Sequence, residues 1–230
     1  CFAMVHNETS TGLMNPVQEV AAVVRQVSPQ PLVCVDAVSS LGGVEFQMDD
    51  WGLDFTLTSS QKTLALPPGL ALGATADRAL ELAEQVPNRG WYFDLLRLEN
   101  HRLKNSTPAT PALALIYALD TQLDRILAEG LASRFARHAA MAARVQEWAL
   151  DRGFGLYAAE GYRSHTVTTV ENTHNLDIGA LNTFLLARDM RISNGYGALK
   201  NKTFRIAHMG ELHLADVDTL LAAIDEFMAQ

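Results

Sequence analysis

Lys62 follows the apolar run Phe55-Thr56-Leu57-Thr58 and the polar triplet Ser59-Ser60-Gln61, a setting that suits an amine to covalent chemistry. Near low-dielectric walls a lysine loses proton affinity, and its neutral amine can attack a carbonyl carbon to form a Schiff base. A surface lysine after a strand shares the bare signature. What sets Lys62 apart is the hydroxyl-rich triplet before it and the rigid Leu66-Pro67-Pro68-Gly69 after it, a loop able to hold a cofactor. Asp36 ends the run Leu32-Val33-Cys34-Val35, at the carboxyl end where open α/β sheets place their ligand crevice. The same carboxylate also suits a turn cap. If the two strands run parallel, Asp36 and Lys62 emerge at one edge. A third cluster, His6-Asn7-Glu8-Thr9-Ser10-Thr11-Gly12, follows the first apolar run and brings hydroxyls and a carboxylate to that edge. It reads equally as a cap for the helix that follows, with His6 a core histidine. Arg205, in the alternating Lys202-Thr203-Phe204-Arg205-Ile206, shares a side with Thr203 and Ala207. A guanidinium in a half-buried strand needs an anion, either a substrate carboxylate held by two parallel hydrogen bonds or an acidic side chain of the protein.

The elements that must position these residues alternate in the first part of the chain. Strands are expected at 1–5, 31–35, 54–58 and 70–75. Val17, Val20, Ala21, Val24 and Val27 recur at helical spacing over 16–27, with Pro16 in the first turn. That alternation predicts an α/β fold with a mostly parallel sheet and crossover helices. Asp77 is expected to cap a helix reaching Val86, before Pro87-Asn88-Arg89-Gly90 breaks the pattern. The two prolines of Asn105–Pro111 exclude regular helix and mark a domain boundary ahead of a long apolar helix from Ala112 to about Glu129. Beyond it, a helix at 131–151, strands near 154–157 and 166–170, a helix at 177–189, a strand at 202–207 and a helix at 214–228 predict a small α+β domain.

Composition bounds the function classes. The 230 residues carry a net charge of −8 with no Lys/Arg block, which argues against nucleic acid or an anionic membrane as partner. No stretch is apolar enough for a bilayer span. Cys1 and Cys34, the only cysteines, are distant in sequence and in no C-x-x-C pair, as expected in a reducing compartment such as the cytoplasm. The histidines show no metal-binding spacing, so no metal is assigned, and neither G-x-S-x-G nor a P-loop occurs. The chain opens on Cys1-Phe2-Ala3-Met4-Val5, a run resembling a buried strand with no initiator methionine, from which a missing upstream region is expected.

In order and spacing, His6–Gly12, Val35-Asp-Ala-Val-Ser-Ser-Leu-Gly-Gly43, Ser59-Ser-Gln-Lys62 and Phe204-Arg-Ile-Ala-His-Met-Gly210 resemble the class V aminotransferases of fold type I, most of all the alanine–glyoxylate and serine–pyruvate aminotransferases. The resemblance covers essentially the whole chain. It implies that 1–105 is the C-terminal part of a large cofactor-binding domain, 106–130 a linking segment and helix, and 131–230 the small C-terminal domain. It also implies pyridoxal 5'-phosphate as cofactor and a homodimer with shared active sites. By motif position, Lys62 is the Schiff-base lysine and Asp36 pairs with the pyridine nitrogen. Thr9 and Gln61 bond the ring hydroxyl region, Val38 packs on a ring face, and Arg205 binds the substrate α-carboxylate. Thr110 reaches the cofactor phosphate of the neighbouring subunit, whereas a tyrosine common three residues earlier is Thr107 here.

The implied reaction moves an amino group from a small amino acid, alanine or serine, to a small 2-oxo acid, glyoxylate or pyruvate, by a ping-pong route. Phosphoserine or 2-aminoethylphosphonate transamination and a non-catalytic remnant are the alternatives. A cysteine desulfurase needs a later cysteine than Cys34. The family's upstream phosphate cup and its aromatic residue stacking on the ring are not in this sequence, so weak or no cofactor binding is expected of these 230 residues alone.

Overall fold

A computed structural model describes residues 1–230. The first sheet has the order β1-β4-β5-β6, from β1 (Phe2–Val5), β4 (Val33–Asp36), β5 (Phe55–Ser59) and β6 (Ala71–Thr75). β1 and β5 each pair in parallel with β4, as the alternation predicts, whereas β6 returns antiparallel to β5. Strand β1 is a half-buried edge strand, in place of the fully buried opening strand expected. Between β1 and β4 the chain forms a short hairpin, β2 (Asn7–Glu8) with β3 (Leu13–Met14), and then helix α1 (Val17–Val24).

Pleat alternation decides which face of this sheet is covered. Val33 and Val35 point to one side and pack with Val17 and Ala21 of α1 and with Leu53, joined by Phe2 and Met4. Register places Asp36 beside Leu57 on the other side, with Ser59 two residues further along. Helix α1 is shorter than 16–27. Pro16 stands at its N-cap, not in its first turn, and the helix ends at Val24, with Arg25 bonded to Asp54 at 2.9 Å and to Gly52 O. Val27 is accordingly exposed and contributes nothing to the core.

One further expectation is corrected by the next stretch. Helix α2 (Asp77–Glu84) has Ala76 at its N-cap, so Asp77 lies inside the first turn and does not cap it. Helix α3 (Leu95–Arg102) forms in a stretch to which the sequence pattern assigned no element, started by the Asp94 side chain accepting from Leu96 N at 3.1 Å. Helix α4 (Leu113–Glu129) and helix α5 (Leu131–Asp151) meet at Gly130, whose φ of 81° a side chain would resist.

The second sheet, order β7-β8-β10-β9, is antiparallel throughout and contains β7 (Gly155–Leu156), β8 (Val167–Glu171), β9 (Ser193–Asn194) and β10 (Thr203–Ala207). Helix α5, helix α6 (Ile178–Leu186) and helix α7 (Leu214–Met228) supply Met141, Trp148, Leu181, Leu185, Leu221 and Ile224 to the larger core. No helix is long and apolar enough to cross a membrane.

Candidate active site

Because β4 and β5 are parallel neighbours, Asp36 and the loop carrying Lys62 leave the sheet at the same edge. Asp36 Oδ1 accepts from Val38 N at 2.9 Å, which folds the chain back and holds Val38, half-buried, beside the carboxylate. The turn-cap reading and the site reading of Asp36 are thus compatible. Lys62 sits in a turn beyond β5, half-buried, and its amine has no hydrogen bond or ion pair within the chain. The loop is closed beneath it. Ser60 Oγ donates to Pro67 O at 2.7 Å and accepts from Leu70 N at 3.2 Å, while Lys62 O accepts from Ala65 N at 2.9 Å.

The hairpin brings the third cluster to the same place. Thr9 Oγ1 lies 2.6 Å from Ser39 Oγ, and Asn7 Nδ2 donates to Ser39 O at 3.1 Å, so the segment after Asp36 and the hairpin are locked together. Gly12 makes the hairpin possible: its φ is +69°, and an added Cβ would come within 2.9 Å of Thr169 N on β8. That contact seats the hairpin against the second sheet. His6, placed with this cluster by sequence, instead turns into an aromatic group with Phe46 and Trp51, its ring 5.4 Å from Phe46. Burial holds its pKa down at about 4, and its Nδ1 has no partner.

Arg205 on β10 meets this assembly from the other sheet. Its Nη1 donates to Thr9 O at 3.3 Å and its Nε to Asn194 O at 3.2 Å, and no carboxylate pairs with it. The acidic side-chain partner considered from sequence is therefore not what holds it. Thr169, its register partner on β8, carries a buried hydroxyl without a hydrogen bond. Ser59 Oγ is also buried and unpartnered, on the Asp36 side of the first sheet. Unmet polar atoms beside an unpaired guanidinium, a carboxylate and a free amine fit a polar, anionic ligand.

Gln61 is exposed next to Lys62. Thr110 is exposed in the stretch before α4 and makes no side-chain hydrogen bond, so the chain itself does not bring it to the others. Cys1 and Cys34, distant in sequence, place their sulfurs 3.4 Å apart as free thiols. Two residues that hold the site were not singled out from sequence. Ser39 is the partner of Thr9, and Arg134 lies fully buried on α5. The signal for Arg134 was its register. It falls on the stripe of His138, Met141, Val145 and Trp148, where a buried helix face calls for apolar residues.

Residues 1–210 match the model of the aminotransferase class-V family. The chain belongs to that family. Among its family relatives, an uncharacterized aminotransferase of Methanocaldococcus jannaschii is 36% identical over 225 residues, covering 96% of this chain and 58% of the relative. An L-aspartate–glyoxylate aminotransferase of Paracoccus denitrificans is 35% identical over 227 residues, covering 97% and 57%. The crystal structure of an alanine–glyoxylate aminotransferase from Nostoc sp. superposes with a TM-score of 0.91 at 32% identity, covering 98% of this chain and 61% of that one. The chain thus spans somewhat under two thirds of the length of these family members.

Proposed function

We propose that this class-V chain supplies the Lys62 half of a pyridoxal-phosphate transaminase site, which moves an amino group from a small amino acid such as alanine or serine to glyoxylate or pyruvate. One observation carries the reading: parallel β4 and β5 deliver a carboxylate and an unpaired amine to one edge, and a guanidinium without an anionic partner is tied to the segment after Asp36 through Thr9. When bound, the cofactor supplies an electron sink for the substrate α-carbon. Lys62 Nζ would hold the cofactor covalently, and as a free amine it would take and return the substrate α-proton as general base. Asp36 would pair with the ring nitrogen and keep it protonated, Thr9 and Gln61 would bond the ring hydroxyl region, and Val38 would pack on the ring. Arg205 binds the α-carboxylate of donor and acceptor in turn, which suits a ping-pong order in which both use one site. Glyoxylate as acceptor is supported by the names of the Paracoccus and Nostoc relatives, and alanine as donor by the latter.

Thr110 serves a neighbouring subunit in this reading. Its exposure supports that assignment, as does the apolar stripe Leu113, Ile116, Tyr117 and Leu127 left uncovered on α4, which suits a homodimer interface. The two sheets, each with its own core, support a division into 1–105, a connecting 106–130 and 131–230. Free thiols at Cys1 and Cys34 support a cytoplasmic location.

Borohydride reduction of the full-length, pyridoxal-phosphate-supplied protein, followed by peptide mapping, tests the reading. A pyridoxyl group on Lys62 is expected, with loss of turnover in Lys62→Ala. Absence of label on Lys62 overturns it. Keto-acid formation from alanine, serine, phosphoserine and 2-aminoethylphosphonate then ranks the donors.

A further inference from the structure

Arg134 has no exposed surface, and a buried guanidinium is an expensive way to fill a helix face that methionine or leucine could fill. Its contacts show what it does there. Nε donates to Gly42 O at 2.9 Å, in the loop that follows Asp36. Nη2 donates to Thr63 O at 2.7 Å, the residue after Lys62. Nη1 donates to Glu211 Oε1 at 3.1 Å, in the loop that follows Arg205 and β10, and to Glu129 Oε2 at 2.8 Å at the end of α4. One rigid, planar fork therefore touches the three loops that carry the candidate chemistry, using four of its five N–H groups.

The next turn of α5 repeats the arrangement. His138 Nε2 accepts from Gly210 N at 3.1 Å, and Arg137 donates to Gly210 O at 3.2 Å, so both polar groups of that residue are held. Gly210 in turn presses on the lysine loop: a Cβ there would lie 3.0 Å from Ala65 Cβ and 3.5 Å from Lys62 O. Ala65 is held at a φ of 55°, a left-handed conformation costing about 1 kcal/mol or more in a residue with a Cβ. A strained loop keeps such a shape only when its surroundings hold it there.

We propose that Arg134 is the positioning residue of this site, fixing the loops after Asp36, Lys62 and Arg205 relative to one another through Gly42, Thr63 and Glu211. The clamp stands on these contacts, and its catalytic meaning rests on the transaminase reading above. Arg134 reaches no substrate; it acts through the backbone that carries Lys62. Lysine cannot replace it, because a single ammonium does not span two carbonyl oxygens and two carboxylates in this geometry.

Amide hydrogen exchange of full-length Arg134→Lys tests the inference without any cofactor. Residues 41–44 and 60–66 are expected to exchange at least tenfold faster, while β8, β10 and α7 keep their protection. In the pyridoxal-phosphate-supplied protein, the rate of borohydride labelling at Lys62 is expected to fall by a similar factor. Unchanged loop protection overturns the clamp, and so does an equal loss across loops and core, which marks a role in stability alone. Should Arg134→Lys not fold, Glu211→Ala decides, because Glu211 is partly exposed and truncating it removes one acceptor from Arg134. Faster exchange confined to the same loops supports the clamp, and no change refutes it. Loop-confined acceleration in the variant, together with a wild-type protein that never labels at Lys62, counts against the transaminase reading alone. Labelling that is unaltered in both variants counts against the clamp alone.

Discussion

Acidification attacks this protein through its buried histidines. His6, His138 and His208 have almost no exposed surface, and burial holds their pKa values down at about 4, about 4 and about 3. Geometry requires the neutral form of one of them. His138 Nε2 accepts from Gly210 N, so its proton sits on Nδ1 toward Arg134 O at 2.8 Å. His208 Nδ1 lies 3.1 Å from His165 O, and its Nε2 lies 2.9 Å from the Thr168 hydroxyl. A histidine whose folded pKa lies below its unfolded value of about 6.5 stabilises the fold fully above that value. The contribution is lost as pH falls, because the unfolded chain takes up protons that the folded chain refuses. At about pH 5 each such group costs roughly 2 kcal/mol relative to about pH 7.5, and the three together cost roughly 6 kcal/mol. That is comparable with the whole stability of an ordinary domain, about 5–15 kcal/mol. Glu129, drawn down to about 2 chiefly by its hydrogen bond from Arg137, stays ionised throughout and does not offset the loss. Urea unfolding followed by the fluorescence of Trp148, which is buried in the larger core, measures the difference. A fall of less than about 2 kcal/mol between those pH values would falsify the account, since at least two of the three must then accept protons while folded.

Three substitutions test other parts of the frame. Asp54, buried, accepts from Val33 N at 2.7 Å, Arg25 at 2.9 Å and Arg78 at 3.0 Å. Asp54→Ala is expected to cost about 3 kcal/mol, at the low end for a broken buried pair because both arginines keep some contact with water. Calorimetry or urea titration reads it, and a cost near zero overturns it. Gly12→Ala combines a left-handed φ with a close approach to Thr169 N and is expected to cost about 2 kcal/mol or more, read in the urea midpoint. In the proposed site, Arg205→Lys would lose a two-pronged grip on the substrate carboxylate, so KM for the amino donor should rise about tenfold with a smaller change in kcat. An unchanged KM would remove Arg205 from the substrate site.

The sequence was most legible where periodicity was strong. The 131–151 and 214–228 helices have the bounds expected, because each buries one continuous stripe. The parallel pairing of β4 with β5, on which the joint placement of Asp36 and Lys62 depended, followed from helical and strand patterns alternating ahead of them. Helix α3 escaped notice because Leu95–Arg102 buries nothing, and so has no apolar stripe to read. Its only local sign is the aspartate before it. The hairpin of β2 and β3, two residues to a strand, is too short for an alternating pattern, and Gly12 owes its importance to Thr169, a contact far along the chain. Arg134 was hidden for a related reason: one arginine on a helix rich in arginine and alanine reads as surface until its neighbours on the stripe are known to be buried.

The reach of Arg134 also bears on when the site comes into being. Its partners Gly42 and Thr63 lie 92 and 71 residues earlier in the chain, and Glu211 lies 77 residues later. Chains emerge from the ribosome amino end first, and contacts of such long span form late. The first sheet can assemble while the rest is being made, yet its two reactive loops acquire their set only after α5 has been synthesised, and the Arg205 loop only near the end. If Lys62 has the role proposed for it, a nascent chain carries it without its alignment, and reactivity toward carbonyl compounds is acquired together with completion of the fold.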